Sequence, residues 1–213
     1  MKFSFSLLSL LIILNWPKPL LAQDDHLRPV DGIFSESSFL LEYYSSVRKI
    51  LLRGFSDHPE VRIVIIPSFA TESALDMEQD ESSKKYFLLY HLANPSIWYS
   101  QGKHKIQVDS VKIEIETHSF LLIKKLFLNA LNKVKYPTDS LRSLGFDGTD
   151  YYFSVDDMGL KTGTIWSPPP GGKMSKLVEI TNHLIQMMKS ESDLIEFDDA
   201  FSKEITELTK KLE

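Results

Sequence analysis

The clearest pattern in the chain lies between Phe146 and Met188, where the hydrophobic period changes from two to three and four. Tyr151, Phe153 and Val155 alternate with Tyr152 and Ser154, which makes one face apolar and predicts a half-buried strand over Asp150–Val155. Asp156-Asp157-Met158-Gly159 is turn chemistry, because Gly159 tolerates a positive φ and both Asp side chains can bond their own backbone. Leu160, Thr162, Thr164 and Trp166 carry the alternation into a return strand. The following Ser167-Pro168-Pro169-Pro170-Gly171-Gly172 cannot extend it, since three consecutive prolines lack the N–H a ladder needs. Beyond that loop, Met174, Leu177, Ile180, Thr181, Leu184, Met187 and Met188 recur at steps of three and four. Glu179, Asn182, Gln186 and Lys189 lie opposite them, so the pattern predicts an amphipathic helix covering one face of the sheet.

The rest of the chain is read the same way. Ser35 to Ser38 can cap a helix with Phe39 or Leu40, Tyr43, Val47, Ile50 and Leu51 on its apolar side, stopping near Gly54. Val61–Ile66 is a buried strand ended by Pro67, and Tyr86–Leu92 is another, broken by Asn94-Pro95. Between them, Thr71 to Lys85 is polar and acidic and reads as a solvated connection with a short helical turn at Glu72–Met77. Ile97-Trp98-Tyr99 reads as a short strand. Lys105–Glu116 alternates, but its phase slips between Val108 and Val111, which predicts a bulge or bend at Asp109-Ser110. Phe120–Val134 is the most apolar helix, buried on more than one side. Leu194, Phe197, Phe201, Ile205, Leu208 and Leu212 form a narrow seam on a charged last helix.

These elements do not alternate as a doubly wound sheet would. The expected fold is α+β: an antiparallel sheet of five or six strands, helices mainly on one face, and an amphipathic C-terminal helix. The expected divisions are a leader at 1–22, a globular domain at 23–190, and an acidic helix at 191–213 packed on the same domain.

Composition sharpens this picture in three ways. Met1-Lys2, the apolar run Phe3–Leu14 and Leu20-Leu21-Ala22 have the layout of an export signal. The apolar run is shorter than the roughly 20 residues a bilayer-spanning helix needs, so the expectation is a periplasmic or secreted product without stable membrane insertion. The absence of cysteine removes disulfides, thiolate nucleophiles and Cys-ligated zinc, so the core alone must hold the fold. A net charge of −5 disfavours nucleic acid and anionic membranes and points to a protein partner more basic than acidic.

Complete catalytic or metal motifs are missing, and no cofactor is expected. Pro170-Gly171-Gly172-Lys173-Met174-Ser175 fails the phosphate-loop pattern at Met174 and Ser167, and reads as a loop opening a helix. Asp76 to Glu81 alternates acids as a calcium loop does, but Glu81 stands where the turn glycine must be and Phe87 where the last ligand must be. Glu179 and His183, four apart, suit a surface pair better than a metal site. If the chain were a small hydrolase, the candidates would be Ser68 in Pro67-Ser68-Phe69 with Asp147 and Asp150. The favoured expectation is a non-catalytic exported protein that binds a protein partner, of which an inhibitor or immunity role would be one form. Its partner-facing candidates are Glu72, Asp76, Glu78, Asp80, Trp98 and Trp166.

Overall fold

The computed structural model describes residues 25–30, 40–100, 105–136, 147–190 and 192–213. The leader, the Ser35 to Ser38 cap and the Leu141 to Gly145 approach to the hairpin lie outside them. The elements run α1 (Leu41–Leu51), β1 (Val61–Pro67), β2 (Ser73–Gln79), β3 (Tyr86–Asn94), β4 (Gln107–Ile115), α2 (Thr117–Asn132), β5 (Thr149–Asp156), β6 (Leu160–Trp166), α3 (Lys173–Met188), β7 (Leu194–Ile195) and α4 (Asp199–Lys211). The class is α+β as expected, but among the described residues the sheet has seven strands in the order β6-β5-β1-β2-β3-β4-β7 and is mixed. All neighbours are antiparallel except β7, which adds two residues parallel to Glu114 and Ile115.

Both faces of this sheet are covered, unequally. Ile63, Leu75, Met77, Leu88, Phe153, Val155 and Ile165 face α2, α3 and α4 and form the main core with Phe120, Phe127, Leu177, Leu184 and Ile205. Phe127 stacks on Phe153 with ring centroids 5.5 Å apart, and Tyr86 on Phe120 at 3.8 Å. Among the described helices, the opposite face carries α1, which packs Tyr44, Val47 and Leu51 on Val64, Ala74, Ala93, Ile97 and Tyr152.

The β5–β6 hairpin and α3 follow their sequence patterns closely. Met174, Leu177, Ile180, Thr181, Leu184 and Met188 are buried, while Glu179, Asn182, Gln186 and Lys189 are exposed. The start of α3 has no cap from its own Gly172; instead Asp25 Oδ1 accepts from Met174 N at 2.9 Å. Gly172 must be glycine for this approach, since a Cβ there would sit 2.6 Å from Asp25 Oδ1. Next to Asp25, Leu27 is fully buried, and Arg28 exchanges two backbone bonds of 2.9 Å with Thr164 on β6.

Four sequence expectations need correction. Thr71–Lys85 is no solvated connection: it contains β2, inside the sheet, where Ser73, Leu75 and Met77 point to the main core and Ala74 and Asp76 to the α1 side. Ile97-Trp98-Tyr99 is a turn rather than a strand. Asp109-Ser110 carries no bulge, for β3 and β4 pair without interruption from Tyr86↔Ile115 to Asn94↔Gln107. The phase slip has another cause: Val111, Ile113 and Ile115 in β4 serve the main core, while Ile106, just before β4, packs on the α1 side, so the two sets of apolar positions answer to different cores. Finally, the C-terminal seam does not belong to one helix. Leu194 begins β7, α4 starts only at Asp199, capped by Asp198 accepting from Phe201 N at 2.8 Å, and Phe201, Ile205, Leu208 and Leu212 are buried in the main core.

Candidate functional site

Six of the residues singled out in the sequence, Ser68, Glu72, Trp98, Asp147, Asp150 and Trp166, converge at one end of the sheet. The convergence follows from register. Asp150 stands opposite Ile66 on one side and Trp166 on the other. Glu72 immediately precedes β2, whose Ser73 pairs with Ile65. The turn that follows β3 brings Trp98 over Glu72.

Glu72 organises this corner. It is fully buried, yet no cation faces it among its described partners. Its Oε1 accepts from Tyr43 Oη at 2.9 Å, Trp98 N at 2.9 Å and Ser96 Oγ at 3.2 Å, and its Oε2 from Ile97 N at 2.7 Å. A buried carboxylate is costly unless its oxygens are bonded, and here four neutral donors do so. Burial, and then the Glu72 charge, push the Tyr43 phenol far above its usual range, so its hydroxyl stays a donor. Helix α1, the start of β2 and the turn after β3 are thereby tied to one side chain.

A second set of bonds fixes the neighbouring loops. Ser68 N donates to Gly148 O at 2.8 Å, and Ser68 Oγ accepts from Gly148 N at 3.1 Å. Ser167, held at φ 30°, accepts at its Oγ from Thr149 N at 2.8 Å. Gly148 lies flat beneath Trp166, where a Cβ would meet the indole at 2.5 Å. The two sets join where Tyr99 Oη donates to Ser68 O at 2.8 Å.

What this scaffold displays is aromatic. Phe69 is 73% exposed, Tyr99 56% and Trp98 51%, with the Tyr43 ring edge-on to Trp98 at 4.9 Å. Asp147 is exposed and Asp150 half-buried. The sequence put Trp98 and Tyr99 in a strand, where aromatic side chains are usually core. Phe69 entered only as a neighbour of Ser68, and nothing in the local sequence marked Tyr43 as the partner of Glu72.

The remaining candidates lie elsewhere. Asp76 is fully buried and paired with Arg62, Nε to Oδ1 at 2.7 Å, and Arg62 also donates to Ser56 O. Burial pushes the Asp76 carboxyl up to about 6 against the opposing pull of Arg62. Glu78 pairs with Lys112 at 2.8 Å across the sheet face. Asp80 accepts from Ser82 and Ser83 in the β2–β3 turn, which lowers its carboxyl pKa. The expected acidic binding surface at 72–81 is corrected in part: Glu72 and Asp76 are buried, Glu78 and Asp80 are engaged within the protein, and Glu81 is exposed. Glu179 pairs with Lys176 rather than with His183, whose ring packs on Phe201. A cleft of about 450 Å³ at the start of α3 is lined by Asp25, Lys173, Lys176, Glu179, Glu204 and Lys211; Lys176 in it pairs with both Glu179 and Glu204, and Asp25 with the Met174 amide. Among the described residues no three His, Asp or Glu gather as a metal site would require, and no helix is long and apolar enough to cross a membrane.

The fold and this corner define an α+β domain with a braced aromatic surface. Compared with known proteins, the chain matches no family model, no curated protein and no solved structure.

Proposed function

We propose that this chain is an exported, non-catalytic binding protein that holds a protein partner against Phe69, Trp98 and Tyr99. The observation that carries the reading is the exposure of three large aromatic side chains on loops fixed from within by Glu72, Ser68 and Tyr99. Exposed aromatic side chains are typical interface anchors, and a contact surface ordered in advance loses less entropy on association. Inhibition of, or immunity to, a secreted enzyme is one form the role can take. The test is photo-crosslinking with benzoylphenylalanine in place of Phe69 in intact cells. One discrete protein adduct, lost with Trp98→Ala, supports the proposal; an adduct pattern indifferent to Trp98 sinks it. Fractionation of the same cells tests export.

A hydrolase is the second reading, favoured by the meeting of Ser68 with the Asp147–Asp150 segment. Against it, Ser68 Oγ receives the Gly148 amide, and among the described hydrogen bonds no imidazole reaches Ser68 to take its proton. Turnover of an ester or glycoside lost in both Ser68→Ala and Asp150→Asn would favour this reading over the first.

A further inference from the structure

We infer that the tip of the β5–β6 hairpin binds a soft monovalent metal ion, Cu(I), between the imidazole Nε2 of His58 and the thioether sulfur of Met158. The site lies at the far end of β5 from the aromatic corner and goes beyond the binding role proposed above. Asp156, the last residue of β5, joins the two ligands. Its backbone N–H donates to Pro59 O at 2.8 Å, and its Oδ2 lies 2.6 Å from His58 Nδ1, so the 58–59 segment is fastened to the base of the turn. Met158 follows two residues on, a span of at most about 7 Å.

The hydrogen bond settles which imidazole nitrogen is available. A carboxylate only accepts, so Nδ1 carries the proton and the neutral ring keeps its lone pair on Nε2. The His58 bond, and then the Gly159 amide donating to Oδ1 at 3.1 Å, hold the Asp156 carboxyl below its usual range. With both oxygens engaged, Asp156 orients the imidazole rather than binding the ion itself. The His58 side chain is 83% exposed, which leaves Nε2 open to solvent.

Met158 is the less expected ligand. It is wholly exposed and held at φ 55°, where glycine, asparagine or aspartate is the usual choice. It gains no burial there, so what methionine supplies is an accessible sulfur on a side chain with three rotatable bonds. The sulfurs of Met77, Met174 and Met188 are closed off by burial. A thioether paired with an imidazole selects Cu(I) over Zn(II) or Ca(II), and a chain without cysteine has no thiolate to compete for it. Such an ion is satisfied by two donors in line, so no cluster of three carboxylates or imidazoles is needed.

The test is titration of the purified chain with Ag(I), a redox-stable stand-in, and with Cu(I) under argon against a chromophoric chelator, with Zn(II) and Ca(II) in parallel. Saturable binding of one Ag(I) or Cu(I) is expected. In nuclear magnetic resonance spectra the Met158 methyl and the His58 ring should shift while the Met187 methyl stays still. Met158→Leu and His58→Gln should each weaken binding by about a hundredfold or more, and Asp156→Ala, which leaves both ligands in place, by about tenfold. His118→Gln and Met187→Leu should change nothing. Because the Met158 side chain is wholly exposed, Met158→Leu keeps the fold, and the test stands even where Asp156→Ala loosens the turn. Absence of saturable Ag(I) binding, or affinity unchanged in Met158→Leu or His58→Gln, overturns the inference. Tighter binding of Zn(II) or Ca(II) through the same residues also overturns it.

Discussion

The two faces of the sheet are built on different physics. Under α2, α3 and α4 the contacts are almost wholly apolar, and stability comes from area removed from water and from ring packing such as Phe127 on Phe153. Under α1 the apolar cluster is small, and two fully buried carboxylates make directed bonds: Glu72 holds the 96–98 turn and Tyr43, and Asp76 holds Arg62 of β1, which in turn donates to Ser56 O. Apolar packing is tolerant of direction, while hydrogen bonds to a buried charge fix geometry. The comparison teaches that the three-helix side makes the protein stable and the one-helix side makes its loops definite. Exposed aromatic side chains stand at the end of the second side, where definite geometry is worth most.

Four substitutions test this division. Phe127→Ala, on the main face, should cost about 3–5 kcal/mol in urea unfolding, because a large buried ring leaves a cavity that neighbours fill only in part. A loss no larger than that of an α1-side residue would break the division. Asp76 should give a pH signature on the other face. Its folded pKa is raised, so its protonated form contributes stability that is fully present below about pH 4 and is lost as pH rises through about 6. Between those limits the wild type should lose up to about 3 kcal/mol relative to Asp76→Asn, read as the divergence of their melting curves with pH.

Glu72→Gln keeps the shape of the side chain but turns one acceptor oxygen into a donor facing Tyr43, Ser96, Ile97 or Trp98. It should cost about 1–3 kcal/mol and alter the near-ultraviolet dichroism of Trp98, while amide exchange in α2 and α3 stays slow. If both faces loosen together, the corner is not a separate unit. Trp98→Ala should have the smallest effect on stability, within about 0.5 kcal/mol, because its indole is half exposed. Its effect should fall on binding alone.

The sequence was most legible where one face of one element met one core. The hairpin and α3 are such cases: alternation, a glycine turn, three prolines and a three-four stripe all demanded the same structure. The 105–116 stretch was misread because Ile106, before β4, packs on the α1 side and Val111, Ile113 and Ile115 on the main core, so its pattern changes phase while the β3–β4 pairing runs on unbroken. β2 was misread for a different reason. Acids at positions 72, 76 and 78 look solvated in sequence, and only the fold supplies Tyr43 and the 96–98 turn for Glu72 and the guanidinium of Arg62 for Asp76. The candidate corner was half visible. Its side chains could be named, but that they meet depends on strand order, which no local pattern encodes.

The Glu72 carboxylate also dictates when the corner can exist during folding. Its partners lie 29 positions behind it, at Tyr43, and 24 to 26 ahead, at Ser96, Ile97 and Trp98, so the bonds close only after distant stretches of chain have collapsed together. Such non-local closures cost loop entropy, so no single local stretch can form the corner by itself. An aromatic surface assembled in this way is absent from any chain whose residues 43, 72 and 96–98 have not yet met.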